Sequence, residues 1–141
     1  MADNPKQSAA VRCVIVTPEA TVLDTQARFV GLPLFDGQRG VGHGHAPFIG
    51  RLGAGEVRIT VDQGGETVQR TFVDGGFVEV GHDTVTVITQ RAIPAERLDL
   101  ASARADLDRL AATKATGDEA IAAKLQAQEA ARAVVRTAGR R

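Results

Sequence analysis

Gly76-Phe77-Val78-Glu79-Val80-Gly81-His82-Asp83-Thr84-Val85-Thr86-Val87-Ile88-Thr89-Gln90-Arg91-Ala92-Ile93-Pro94 contains the end of one kind of structure and the start of another. On each side of Gly81-His82-Asp83, β-branched and polar residues alternate with period two, the signature of two half-buried strands. The glycine between them admits the positive φ of a tight hairpin turn. Val85, Val87 and the neighbouring Ile88 are expected to feed the core, with Thr84, Thr86 and Thr89 outward. At Arg91-Ala92-Ile93-Pro94 the alternation stops. Ala92 to Arg141 holds 16 alanines and two glycines, whereas 13 of the 15 glycines lie between Gly31 and Gly81. This predicts a tight junction between two compact units, residues 11–91 and 92–141, preceded by a disordered polar tail over residues 1–10.

Upstream, the same alternation marks Val11 to Val16, Ala27 to Leu34, Glu56 to Val61, Thr67 to Val73, Gly76 to Val80 and Thr84 to Thr89 as strands. Asp62-Gln63-Gly64-Gly65 reads as a hairpin turn. Short strands with frequent turns predict an antiparallel sandwich or barrel, and Pro33 predicts an edge or a bulge within its strand. Downstream, alanine, leucine, arginine and glutamate dominate, and breakers are confined to Thr113 to Asp118, which predicts two helices in an antiparallel hairpin. Pro94 suits a first turn. Leu100, Ala103, Leu107 and Leu110 form one stripe of the first helix, and Ile121, Leu125 and Val135 a sparser stripe of the second. Thr116 and Glu119 are spaced as a capping box for that second helix. So few large apolar side chains bury little area, which predicts marginal docking. The hairpin reads either as a permanently packed appendage or as an element that detaches to meet another partner.

The 141 residues carry 17 Lys plus Arg against 17 Asp plus Glu, so no overall basic field favours nucleic acid. The neutrality hides an asymmetry of −3 over residues 1–90 and +3 over residues 91–141. Cys13 is the single cysteine, which excludes an internal disulfide and fits a reducing compartment. No apolar run approaches the ~20 residues that span a bilayer. Only Ser8 and Ser102 offer serine hydroxyls, and tryptophan and tyrosine are absent, leaving little for nucleophilic catalysis or base stacking.

Gly37-Gln38-Arg39-Gly40-Val41-Gly42-His43-Gly44-His45-Ala46-Pro47 is dense in glycine but is no phosphate cradle. It lacks the Lys and Ser or Thr of a nucleotide loop and the glycine spacing of a dinucleotide fingerprint, and strands flank it. His43 and His45, at i and i+2, could share one face toward a metal with His82 as a third ligand, but nothing in the sequence brings His82 close and no carboxylate pattern completes the shell, so no metal is expected.

That segment resembles the loop Gly-Glu-x-Gly-x-x-Pro-Gly-His-Ala-Pro of the epsilon subunit of the F-type proton-translocating ATP synthase, called delta in mitochondria. Gly37, Gly40, Gly44, His45, Ala46 and Pro47 match without a gap. Val16-Thr17-Pro18-Glu19 resembles the family's opening strand and turn, Gly55-Glu56-Val57-Arg58-Ile59 its central strand, and Gly75 to Val80 with Thr84 to Val87 its closing hairpin. The likeness runs in order from residue 11 to about 138. Gln38 stands where the family usually has Glu, His43 where it often has Pro, and Leu32-Pro33-Leu34 where it more often has Val-Ala-Pro.

The resemblance implies a β-sandwich of about ten short strands followed by a two-helix hairpin, working as a non-catalytic rotor subunit that couples proton flow to ATP synthesis. Its partners would be the gamma subunit, the c-ring and the alpha and beta catalytic subunits. It would sit peripherally at the cytoplasmic face of a bacterial inner membrane, meeting the membrane only through the complex. Gln38, Arg39, Val41, His43 and His45 would face the ring or stalk, unless His45 merely pins its own turn through a backbone carbonyl. Arg132, Arg136, Arg140 and Arg141 would meet an acidic segment of beta and inhibit hydrolysis, unless they are an ordinary solvated basic end that complements the helix dipole. No cofactor is required. The family's regulatory ATP site would fall on Asp99, Arg109, Arg132 and Arg136, but Ser102 replaces its first Arg, removing a charge-assisted contact worth ~1.5–3 kcal/mol. The alternative is a free-standing β-sandwich adaptor whose basic hairpin binds an acidic protein or RNA.

Overall fold

The computed structural model describes residues 10–62 and 66–140. The expected tail, the tip of the turn at Gln63-Gly64-Gly65 and Arg141 lie outside the described residues. Eight strands form one continuous sheet: β1 (Val11–Val16), β2 (Thr21–Ala27), β3 (Phe29–Leu34), β4 (Gly37–Val41), β5 (Phe48–Asp62), β6 (Glu66–Gly81), β7 (Thr84–Ile88) and β8 (Ala92–Pro94). Their order is β2-β1-β7-β6-β5-β3-β4, with β8 added beside β6. All pairings are antiparallel except β1 with β7.

β5 and β6 explain how one sheet becomes a sandwich. Each is long enough to serve both layers, and their shared ladder is interrupted at Gly53 and Gly75, where the sheet folds over. Gly75 and Gly76 lie at φ +71° and +107°, which admits a side chain only with strain, and a Cβ on Gly76 would collide with the Ile88 carbonyl. Cutting both strands at these bends gives ten segments, the number that the family resemblance implies. The inward residues of the two layers then meet in one core: Val11, Cys13, Ile15, Val85 and Val87 against Val30, Leu32, Val57, Ile59 and Val73.

The strand readings need three corrections. Ala27 to Leu34 is two strands, because the chain leaves β2 after Ala27 and re-enters the ladder at Phe29. Alternation persists through β7, so Ile88 is 53 % exposed and Thr89 is buried, where its N–H donates to the Val16 carbonyl at 3.0 Å. The glycine-rich segment is not all loop, since Gly37–Val41 pairs with β3 as β4. Pro33 does mark an irregularity: the β3–β5 register shifts between Gly31 and Leu34.

β8 keeps the chain on the sandwich through Pro94, which precedes a short 3-10 turn, Ala95–Arg97, and does not open the first helix. That helix, α1 (Leu100–Ala112), starts at Asp99, whose carboxylate accepts the Ala101 N–H at 3.0 Å, a side-chain N-cap. Its predicted stripe is its inner face, with Ala103 buried and Leu100, Leu107 and Leu110 half-buried. The second helix, α2 (Asp118–Gly139), has no capping box: Gly117 at φ +91° is the N-cap, and no side chain satisfies the first turn. Its predicted stripe holds only at Val135, which is half-buried, since Ile121 and Leu125 are 44 % and 59 % exposed. The residues α2 buries are Ala130, Ala133, Thr137 and Ala138, because its C-terminal half lies on β5 and β6. The hairpin is therefore folded down on the outer face of the sandwich.

Candidate functional site

Two ends of the molecule gather the residues singled out from the sequence. At one end, the turn Gly42 to Pro47 is clamped by the β6–β7 connection. Asp83, at φ +55°, accepts the Gly44 N–H at 2.7 Å through Oδ1 and holds His43 Nδ1 at 3.0 Å through Oδ2. Asp tolerates that left-handed conformation better than most residues, and adopting it turns the carboxylate toward the neighbouring loop. His45 Nδ1 lies 2.7 Å from the carbonyl of neighbouring Ala46, so the tautomer with a proton on Nδ1 donates there and leaves Nε2 as an acceptor. The His45 ring tilts against Phe48, centroids 5.3 Å apart, and the Arg39 guanidinium stacks 5.0 Å from that same ring. Arg39 and His45 are thus joined through Phe48, with His43 and Asp83 pinning the loop.

The other two residues assigned to this surface do not belong with them. Val41 is 1 % exposed and part of the core, so its side chain cannot touch a partner; the inward half of the β4 alternation claims it. Gln38 lies at the opposite end of β4, where it lines a cleft of about 170 Å³ with Glu56, Arg136 and Arg140.

That cleft belongs to the second cluster. Glu56 and Phe72 are direct partners on β5 and β6, and by period two they project away from the core, beneath the hairpin. Glu56 has a side chain only 3 % exposed, yet it is ionic. Arg70 donates to Oε2 from Nε at 3.0 Å and from Nη2 at 2.6 Å, and Arg140 donates to Oε1 at 2.9 Å. Burial by itself would raise the Glu56 pKa; the bonds and charge of Arg70, then of Arg140, outweigh it and hold the carboxyl below its usual range. The sequence reading missed Glu56, Arg70 and Asp83. Polar residues at outward strand positions read as solvated, and no spacing revealed what covers them.

Of the basic residues of α2, Arg132 and Arg136 are exposed and one turn apart, Arg140 is held by Glu56, and Arg141 lies outside the described residues. The residues assigned to ATP do not converge. Asp99 and Arg109 line a cleft of about 640 Å³ between hairpin and sandwich, Arg136 lines the smaller cleft, and Arg132 lines neither. Asp99 is engaged in capping α1, and Arg109 bonds Asp106 at 2.6 Å. Among the described residues, no three His, Cys, Asp or Glu side chains are grouped to hold a metal ion. No helix among them is long and apolar enough to cross a membrane. Burial, then the charge of Asp24, pushes the Cys13 thiol up to about 12.

Residues 10–95 match the family model for the ATP synthase delta/epsilon chain, beta-sandwich domain. An ATP synthase epsilon chain of Rhodopirellula baltica is 56 % identical over 90 residues, which is 64 % of this chain and 68 % of that one. One from Synechococcus is 37 % identical over 127 residues, covering 88 % of this chain and 90 % of the other, a length that has to extend into the hairpin. Among solved structures, the fold is similar to a chain of the Euglena gracilis mitochondrial ATP synthase OSCP/F1/c-ring structure, with TM-score 0.78, 18 % identity and coverage of 95 % and 84 %. It is also similar to a chain of the Tetrahymena thermophila mitochondrial ATP synthase central stalk and c-ring, with TM-score 0.71, 14 % identity and coverage of 96 % and 99 %. None of these matches supports a free-standing adaptor. The chain belongs to the ATP synthase delta/epsilon family and is a non-catalytic subunit of that complex.

Proposed function

We propose that this subunit works at the cytoplasmic face of a bacterial inner membrane, its sandwich bound to gamma and its Gly42 to Pro47 loop turned to the c-ring. The clamped loop is the observation that carries this reading. A contact that transmits torque needs a loop held by the fold, and Asp83, from a separate hairpin, accepts the Gly44 N–H and lies 3.0 Å from His43 Nδ1. Arg39 and His45 Nε2 supply a cation and an acceptor for the polar loops of a membrane rotor, without entry into lipid.

An apolar face suits the stalk itself. Register places Arg51, Phe77 and Ile88 side by side, with Ile49 one step along, and Phe35 stacks 4.6 Å from the Arg51 guanidinium. Ile49, Phe35, Phe77 and Ile88 are 79 %, 66 %, 59 % and 53 % exposed, an apolar patch of the kind that marks a protein-interaction site. A protein partner such as gamma covers such a face.

The hairpin is read as the regulatory part. Arg132 and Arg136 present a pair of guanidiniums at i and i+4, geometry that suits carboxylates on an acidic segment of a catalytic beta subunit and would restrain ATP hydrolysis. Regulatory ATP is not part of the proposal. Ser102 lacks the guanidinium the motif would need, and Asp99 and Arg109 already bond within α1. Gel filtration with an alpha, beta and gamma subcomplex from the same organism tests the assignment: the chain should co-elute and lower hydrolysis. Replacing Arg132 and Arg136 together by Ala should relieve that inhibition while leaving co-elution intact. Elution alone, with hydrolysis untouched, would refute the rotor reading.

A further inference from the structure

In the contact between hairpin and sandwich, the sandwich offers the wholly buried Phe72, but the hairpin itself contributes few apolar anchors. The residues that α2 buries are three alanines and a threonine, and Ala103 is the buried residue of α1. At its C-terminal end the same contact holds the best-formed polar cluster of the described residues. The two oxygens of Glu56 are divided between the units: Oε2 accepts both Arg70 bonds from within the sandwich, and Oε1 accepts Arg140 from α2. Arg70 is itself shared, since its Nη2 also donates to the Thr137 carbonyl of α2 at 2.8 Å. Arg58 stands 3.7 Å from Oε1, and Arg136 lines the same cleft.

We infer that Glu56 and Arg70 form a receptor on the sandwich for the end of α2, and that capture of the Arg140 guanidinium by Glu56 sets how firmly the hairpin is held down. Two features separate this cluster from an incidental surface ion pair. The carboxylate is almost wholly withdrawn from water, where charge-assisted bonds are strong and unpaired charge is costly. The helix is also gripped at two points, by its Arg140 side chain and by its Thr137 carbonyl, so position and angle are both fixed. Arg70 stays on Glu56 when α2 leaves. The receptor therefore survives release and can recapture the helix.

One consequence rests on the inhibitory reading above. Arg140 cannot serve Glu56 and an acidic partner at once, so Glu56 competes inside the chain for a cation the partner would use. The latch itself does not depend on that reading, and it is tested on the isolated full-length chain by amide hydrogen exchange. Arg140→Gln leaves the sandwich with its Glu56–Arg70 pair complete. It should speed exchange over the last three turns of α2 by about tenfold or more, with the core amides of β5 and β6 unchanged. Arg132→Gln, an exposed cation on the same helix, should change neither. In a Glu56→Gln background, adding Arg140→Gln should contribute less than about a further twofold, because the two partners act as one. Native protection of α2 in Arg140→Gln, equal loosening by Arg132→Gln, or a full additional effect in the double variant would each overturn the inference. Loosened α2 in Arg140→Gln with hydrolysis control in the complex unchanged would count against the inhibitory reading alone.

Discussion

The sandwich buries Ile15, Leu32 and Ile59 completely, whereas the hairpin buries nothing larger than Thr137. Apolar burial contributes about 25 cal/mol per Å², so the two units are held by different forces. Interdigitated β-branched side chains give the sandwich one packed core and a fixed shape. The hairpin has the helix formers to stay helical but few side chains to anchor it, and its hold depends on a shared carboxylate. A unit built in the first way suits transmission of torque. One built in the second way can be released without disturbing the first.

The contrast can be broken most severely in the core. Ile59→Ala should cost about 2–5 kcal/mol in denaturant unfolding, because the cavity adds to the lost transfer energy. Leu125→Ala, on the exposed side of α2, should stay within about 0.5 kcal/mol. Similar losses at both positions would mean that the hairpin has a core of its own.

Acid offers a gentler way to separate the units. The folded-state pKa of Glu56 lies below its ordinary value of 4.5. Its contribution to docking is therefore fully present above about pH 4.5, and it is lost as the pH falls through the folded-state value. The groups facing it, Arg58, Arg70, Arg136 and Arg140, stay charged throughout. Amide NMR shifts of α2 should consequently move below pH 4.5 before those of the sandwich core, and Arg140→Gln should remove the difference in onset.

The smallest effect is expected at the clamped loop. Asp83→Ala removes the acceptors of Gly44 and His43 and places alanine at φ +55°, which should cost about 1 kcal/mol and raise exchange at Gly44. Asp83→Asn keeps an acceptor and tolerates the same backbone, so it should cost less. Equal effects would show that the carboxylate's charge, and not the backbone bond, holds the turn.

Much of this division was legible before any coordinates. Period-two alternation located the core positions Val85 and Val87, and the alanine-rich stretch located both helices. Errors arose where a pattern was extended without knowledge of its neighbours. Ile88 was assigned inward for being apolar, although strict alternation carries it out and takes Thr89 in. Ile121 and Leu125 form a helical stripe, yet the sheet meets α2 two turns later, so alanines are what it covers. Glu56 and Arg70, 14 residues apart in sequence, come together only through the register of β5 on β6, and their burial only through the docked helix. Local periodicity carries none of that. The glycine-rich loop stands out through resemblance, but its clamp comes from Asp83 in another hairpin, and β4 turns Val41 into the core and Gln38 toward the cleft beside Glu56.

The most direct test compares the full chain with a version ending at Leu98 in an alpha, beta and gamma subcomplex, measuring binding and ATP hydrolysis on the same samples. The account predicts that both bind gamma with closely similar affinity and that only the full chain lowers hydrolysis. A shortened chain that fails to bind, or that inhibits as strongly as the full one, would contradict the assignment of anchoring to the sandwich and control to the hairpin.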